Sequence, residues 1–148
     1  MHLKTRLFAL FLPLLLLGCG DPPDTHPGQP VTHRRAAFTQ MLKPFEAMGV
    51  QLRKDQYNAD QFLALSKQFA AAREGPWTYF GPDTNYPPTR ATAKVWSEPE
   101  KFEAGREAFL KAGSTLLGAA ESRDEKMIRS AYAALHDTCR SCHKIYKD

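Results

Sequence analysis

The run Cys139-Arg140-Ser141-Cys142-His143, near the carboxyl end of the chain, is the most informative motif in the sequence. A C-x-x-C-H run is the attachment motif of c-type haem: two thiols form thioether bonds to the porphyrin, and the histidine ligates the iron. On a helix these three residues share one face, so one turn can anchor the macrocycle and present an imidazole to its centre. The motif predicts one covalently bound haem c, held by Cys139 and Cys142, with His143 as the axial ligand of the iron.

Length and composition fit one soluble domain. An apolar share of 43% with 24% charged residues is ordinary for a globular chain of 148 residues, so composition alone indicates no function. Without Lys4 and Arg6, which lie in a segment expected to be removed, 18 of the 20 basic residues remain against 16 acidic ones. This balance, with no Lys/Arg cluster, does not favour a nucleic-acid partner.

The amino-terminal segment is typical of an exported lipoprotein. Residues 1–18 have a basic start and an apolar run from Leu7 to Leu17, which is shorter than the roughly 20 residues that a membrane span needs. The run ends in Leu16-Leu17-Gly18-Cys19, which resembles a bacterial lipobox and predicts a lipid on Cys19. The alternative is an ordinary signal peptide that leaves Cys19 as a free thiol. Residues 19–30 then form a proline-rich tether, and the protein is held on the periplasmic side of a bacterial membrane.

Helical periodicity follows the tether, with no alternating strand pattern. We predict four helices. The first starts near Thr32, a candidate N-cap, and Pro44 is expected to kink or break it. The second runs from about Asn58 to Arg73. The third starts at a capping box, Ser97-Glu98-Pro99-Glu100, and ends near Ala120, and the fourth begins near Asp124. The haem motif continues the apolar stripe of the fourth helix. Residues 31–148 are therefore predicted to form an all-α, antiparallel four-helix bundle that encloses the haem c.

The long connection over residues 74–95 is rich in proline, glycine and aromatic residues. A connection of this length inside a compact domain is usually functional or packed by its own side chains. Trp77 and Phe80 fit two interpretations, core cover and direct haem contact, and we include both among the candidate cofactor-binding residues.

The mature domain resembles cytochrome c′, a periplasmic four-helix-bundle cytochrome whose haem motif lies at the carboxyl end. The resemblance covers residues 31–147 and depends on several landmarks in order. These are Arg34 and Phe38 on the first helix, Pro76-Trp77-Thr78-Tyr79-Phe80-Gly81-Pro82 in the long connection, Val95-Trp96-Ser97 and Phe102 at the third helix, and Cys139-Arg140-Ser141-Cys142-His143 with Tyr146-Lys147 at the end.

The resemblance implies roles for single residues. Arg34 is expected near a haem propionate, which a guanidinium can hold by two parallel hydrogen bonds. Phe38 is expected to cover the distal face of the iron, and Tyr146 and Lys147 lie among the haem-binding positions. Two departures stand out: the family often has arginine where this chain has Lys147, and its members are usually free periplasmic proteins rather than lipoproteins.

The family's function is the binding of nitric oxide and carbon monoxide at a five-coordinate haem with an apolar distal side. The resemblance therefore implies a haem-based ligand-binding protein rather than an enzyme, acting in nitric oxide tolerance or buffering. Turnover would need a periplasmic electron donor, which the sequence does not identify. The family's usual homodimer is a further possible assembly, which the sequence neither predicts nor excludes.

Electron transfer is the alternative function. Low-spin relatives carry a methionine on the first helix as sixth iron ligand, but here the matching residue is Phe38, and Met41 and Met48 lie one and three turns further on. Core filling is the simpler interpretation of both methionines. A haem that serves only to hold the fold together is a third interpretation, and it predicts an iron indifferent to ligands. No hydrolytic group of residues competes, since His136 has no evident serine or cysteine partner.

Overall fold

Four long helices make up most of residues 22–148, the part of the chain that the computed structural model describes. In chain order the helices are α1 (Pro30–Arg53), α2 (Ala59–Ala72), the single-turn α3 (Lys94–Ser97), α4 (Pro99–Ser122) and α5 (Glu125–Tyr146), and a 3-10 helix spans Gly75–Tyr79. Helix α1 packs on α2, α2 on α4, and α4 on α5. The predicted four-helix bundle is confirmed, while the signal peptide and the lipid site at Cys19 lie outside the described residues.

The starts of the helices agree with the sequence-based prediction at α2 and α5 and differ from it at α4. Helices α2 and α5 begin where the sequence placed them, next to Asn58 and Asp124. The side chains of these two residues cap the helices by accepting hydrogen bonds from the backbone N–H groups of Gln61 and Met127. The capping box predicted at Ser97 is wrong: the N-cap of α4 is Glu98, and no side chain caps it.

Helix α1 also departs from the prediction. It begins at Pro30, so Thr32 is its third residue and not its N-cap. The helix continues through Pro44 without a break. Its first N–H groups are bound from outside the helix, because the carboxylate of Asp24 accepts from the amides of Val31 at 2.9 Å and Thr32 at 3.2 Å.

The core runs along the centre of the bundle. Every long helix contributes fully buried side chains, each of which stabilises the fold by roughly 1.5–3 kcal/mol relative to exposure. The largest are Met48 from α1, Phe62 and Phe69 from α2, Leu116 from α4, and Ile128 and Leu135 from α5.

The second half of the predicted tether is not a spacer, which corrects the sequence-based expectation for residues 24–30. Asp24 is only 2% exposed, and the hydroxyl of Tyr86 donates to its carboxylate at 3.1 Å. The ring of His26 stacks on that of Tyr86, with their centroids 3.4 Å apart. We call Asp24, His26 and Tyr86 the N-terminal clasp. It attaches the chain before α1 to the long connection.

The carboxyl end is attached to the same connection. Ala91 and Lys147 form an isolated antiparallel bridge, and the amide of Thr92 donates to the carbonyl of Tyr146 at 3.0 Å. Asp148 donates its amide to the carbonyl of Arg90 and accepts from Arg90 Nε at 2.8 Å. We call this end of the bundle, with the connection and both chain termini, the loop end. Within residues 22–148, no helix is both long and apolar enough for a membrane span.

Candidate haem-binding site

A cavity of about 340 Å³ lies between α1, α4, α5 and the long connection. Its walls are mainly aliphatic and aromatic side chains, with cationic groups among them. All nine residues that the sequence analysis proposed for cofactor binding line this one cavity: Arg34, Phe38, Trp77, Phe80, Cys139, Cys142, His143, Tyr146 and Lys147.

The attachment residues come from the last turns of α5. Cys139 and Cys142 are free thiols, one helical turn apart. Burial raises the pKa of Cys139 to about 11 and also raises the pKa of Cys142. Both side chains are therefore neutral thiols that line the same apolar cavity, so one bound group could contact both of them.

His143 is prepared for metal ligation by its surroundings. Burial is the main cause that lowers its pKa, followed by the positive charges of Lys147 and Arg90. A lowered pKa favours neutral imidazole, the form that binds a metal. Two thiols and a neutral imidazole on one face of a helix, beside an apolar cavity, are the donor set that haem c requires, so these residues fit the cofactor.

Aromatic rings form the wall across from α5. The ring of Phe38 meets Trp77 edge-on at 5.7 Å and Phe80 at 6.2 Å between centroids. Phe80 packs in turn on Phe102 at 5.0 Å, and Phe102 meets Tyr146 edge-on at 5.2 Å. Trp77 and Phe80 therefore line the cavity and also pack against Phe38. The two interpretations of these rings, packing in the core and contact with the cofactor, are thus compatible.

Arg34 is engaged mainly with the long connection. It is 4% exposed; its Nη1 donates to the carbonyl of Tyr79 at 2.9 Å, and its Nη2 donates to the hydroxyl of Thr89 at 2.6 Å. Longer bonds join both nitrogens to Thr84, and the guanidinium lies 4.5 Å from the centre of the Phe80 ring. The terminal N–H groups are thus committed to the protein, which leaves Nε–H as the donor that a propionate at this position would meet.

Met41 and Met48 separate in the structure. Met41 lines the cavity and is 3% exposed. Met48 is fully buried, does not line the cavity, and its sulfur accepts a hydrogen bond from Ser66 Oγ at 3.2 Å. Met48 is therefore a core residue, as the sequence analysis favoured.

Sequence reasoning missed several lining residues. Val31, Leu42 and Thr138 each lie one helical turn from a proposed residue, and that spacing could have identified them. Thr39 also lines the cavity, but it is not one turn from any proposed residue. Thr89, Arg90 and Ala91 are brought to the cavity by the bridge to Lys147, for which no local pattern exists.

The comparisons with known proteins agree with this site. A model of the family described as cytochrome C′ matches residues 29–147. The chain belongs to the cytochrome c′ family. Members of this family bind covalently attached haem c. In this chain Cys139, Cys142 and His143 would hold the haem, whose iron would supply the ligand-binding or redox chemistry.

Two curated relatives of the cytochrome c′ family show the extent of the likeness. Cytochrome c′ of Alcaligenes xylosoxydans xylosoxydans is 28% identical over 122 residues, which are 82% of this chain and 94% of the relative. Cytochrome c′ of Rhodospirillum rubrum is also 28% identical over 122 residues, 82% of this chain and 83% of the relative.

Solved structures of the family share the fold. Cytochrome c prime from Shewanella frigidimarina superposes with a TM-score of 0.79 at 29% identity, covering 84% of this chain and 98% of that one. A ferrous variant of cytochrome c prime from Alcaligenes xylosoxidans, solved with bound nitric oxide, gives a TM-score of 0.77 at 29% identity, with 84% and 97% covered.

Proposed function

We propose that this protein binds small diatomic gases, nitric oxide foremost and carbon monoxide more weakly, at a haem held by Cys139, Cys142 and His143. The observation that carries the proposal is the placement of Phe38. This residue brings an apolar ring without a lone pair into the cavity that the attachment motif lines from α5. The Phe38 ring itself offers neither a ligand atom to iron nor a hydrogen-bond donor to bound dioxygen.

Solved relatives support the gas as ligand. Several structures of cytochrome c prime from Alcaligenes xylosoxidans with similar folds are nitric oxide complexes. The role that follows is buffering or tolerance of nitric oxide, with an unidentified periplasmic electron donor wherever turnover occurs.

Phe38 also sets an expected order of affinities. Its two edge-on ring contacts are worth about 0.5–1.5 kcal/mol each, so moving the ring aside costs roughly 1–3 kcal/mol. A ligand that must displace the ring loses that free energy, which corresponds to about 5- to 150-fold in affinity. Carbon monoxide binding is therefore weak, while nitric oxide binds ferrous haem strongly enough to bear the cost.

The test is carbon monoxide titration of reduced Phe38→Ala against wild type. We expect affinity to rise by at least about fivefold, because the ring no longer has to move. Leu42→Ala is the matched control, since it enlarges the same cavity from the same helix and leaves the ring of Phe38 in place. No change in Phe38→Ala, or an equal rise in Leu42→Ala, would contradict the role given to the ring.

The competing function is electron transfer through a low-spin haem, for which Met41 is the methionine that lines the cavity. That function predicts a sulfur-to-iron absorption band in oxidised wild-type protein and its loss in Met41→Leu. Gas binding predicts a five-coordinate, high-spin ferrous spectrum that both proteins share. The band in wild type would overturn gas binding as the primary function.

The proposal includes a membrane anchor. Lipid on Cys19 would hold the bundle on the periplasmic side of a membrane, as the lipobox-like Leu16-Leu17-Gly18-Cys19 indicates. Intact-mass measurement should show the lipid in wild type and its loss in Cys19→Ala. Recovery of unmodified wild-type protein in the soluble periplasmic fraction would reject the anchor and leave gas binding untouched.

A further inference from the structure

We infer that the loop end of the bundle faces the lipid bilayer, so that the haem cavity opens beside the membrane surface and the opposite end points away from it. The inference rests on the lipid anchor proposed above and adds an orientation that the anchor alone does not give. Its basis is the short length of chain between Cys19 and the first residue that the fold holds in place.

Asp24 is that residue. It is 2% exposed, and its carboxylate is bound by backbone amides of α1 and by the hydroxyl of Tyr86. Asp24 is only five positions after Cys19 in the chain. At about 3.3–3.6 Å per residue, even a fully extended chain gives Asp24 a reach of no more than about 18 Å from the lipid-bearing residue. We call residues 19–23 the leash.

The clasp determines which end of the bundle the leash holds. Asp24 binds the first N–H groups of α1, whose 24 residues extend about 36 Å away from it. The turn at the other end of α1, residues 54–58, therefore lies about twice the leash length from Asp24. A bundle that stood on this far end would place Asp24 out of reach of its own lipid.

The haem cavity lies at the held end. The Val31 amide is bound by Asp24 at 2.9 Å, and Val31 itself lines the cavity. Nitric oxide and carbon monoxide are weakly hydrated and concentrate in hydrocarbon. A cavity kept at the bilayer surface therefore samples the gas where it is most abundant.

Exposed charges at the loop end are of both signs: Arg90, Lys94, Lys144 and Lys147 are positive, and Asp83 and the carboxyl-terminal Asp148 are negative. We assign the orientation to the length of the leash and not to these charges. The orientation should therefore persist on uncharged vesicles and in high salt.

The orientation can be mapped by photo-cross-linking of the full-length lipidated holoprotein. The vesicles contain phosphatidylcholine and a lipid with a diazirine on its headgroup, and cross-linked peptides are identified by mass spectrometry. For wild type we expect peptides from residues 83–97 and 144–148 to exceed those from residues 54–60 and 122–129 by about fivefold or more, because the leash keeps the far end away. Cys19→Ala gives the background of unanchored protein.

Lengthening the leash is the decisive variant. An insertion of about 20 Gly/Ser residues between Pro22 and Pro23 leaves the clasp intact and extends the reach beyond the bundle's length, so the ratio should fall toward one. Preferential cross-linking of the far end, or a ratio unchanged by the insertion, would overturn the orientation. Absence of lipid in wild-type protein by intact mass would instead reject the anchor, and with it this inference, while the gas titrations remain as a separate test.

Discussion

Asp24 is a buried carboxylate whose charge is stabilised mainly by hydrogen bonds. Burial acts to raise its pKa, but hydrogen bonds from three backbone amides, that of His26 first, and from Tyr86 outweigh burial and hold the pKa below its usual range. A pKa lowered by folding stabilises the native state above the unfolded value, and this contribution is lost as pH falls through the folded value.

Asp24→Asn should therefore be less stable than wild type near neutral pH, and the difference should shrink as the pH falls below about 4. Urea unfolding followed by circular dichroism, repeated down to about pH 3, measures it. Tyr86→Phe is the comparison, since it removes one donor and keeps the carboxylate. A stability difference that stayed constant over this pH range would show that the charge of Asp24 is not what holds the clasp.

Arg34 is the residue on which the long connection depends. Arg34→Lys keeps a charge but loses the planar set of donors that reaches Tyr79, Thr84 and Thr89 together, so we expect a loss of about 1.5–3 kcal/mol and faster hydrogen exchange over residues 79–89. Arg123→Lys is the matched control, because its ion pair with Asp60 is exposed and worth less than about 1 kcal/mol. Equal exchange in both variants would remove Arg34 from this role.

At the level of elements, the starts of α2 and α4 predict different losses of stability for two similar substitutions. Helix α2 has a side-chain cap, whereas α4 has none. Asn58→Ala removes the bond to the Gln61 amide and should destabilise the protein by about 1 kcal/mol. Ser97→Ala should have almost no effect, since no side chain caps α4. Thermal unfolding of the two variants measures both losses. A loss of stability in Ser97→Ala as large as that in Asn58→Ala would support the capping box that the sequence predicted.

The packing of α1 on α5 depends on Gly49. A methyl group there would overlap the hydroxyl oxygen of Tyr132 and lie 2.8 Å from Arg53 Nη1. Gly49→Ala should therefore cost about 1–3 kcal/mol despite its better helix propensity, whereas Gly118→Ala, with nothing within 4 Å, should stabilise α4 by about 0.5–1 kcal/mol. The clash predicts partial rescue of Gly49→Ala by Tyr132→Phe, and additive effects in that double variant would argue against it.

The sequence predicted those elements that local patterns control. Periodicity located the four helices, and the caps at Asn58 and Asp124 were visible because a side chain there bonds the next turn. The attachment residues were visible because the chemistry requires them at fixed spacing. The start of α1 could not be predicted from a local pattern, because Asp24 binds the Val31 amide from seven residues upstream. The bond from Arg34 to Thr89 could not be predicted either, because it spans 55 residues and has no local signal.

At the scale of the molecule, the cavity makes folding depend on its occupant. At about 24 cal/mol per Å³, a closed empty volume of about 340 Å³ would cost on the order of 8 kcal/mol, and this partly open cavity costs less. Even a fraction of that cost is large beside the roughly 5–15 kcal/mol by which a whole domain is stable. Replacing both Cys139 and Cys142 with alanine should thus leave little folded protein. Circular dichroism and a haem stain measure the outcome, with Cys19→Ala as the variant that keeps both signals. Accumulation of a compact, helical, haem-free protein would contradict this dependence.

Both described ends of the chain reach the same short stretch of the long connection: Asp24 bonds Tyr86, and Asp148 bonds Arg90. One short segment of the long connection therefore holds the described chain at both of its ends. A circular permutant that joins the two ends by a short linker and opens between α4 and α5, at the left-handed residue Arg123, would retain every helix neighbour. If the proposed lipid anchor and gas site are correct, the position of Asp24 has a further consequence, because it would keep the leash at the same end of the bundle as the cavity.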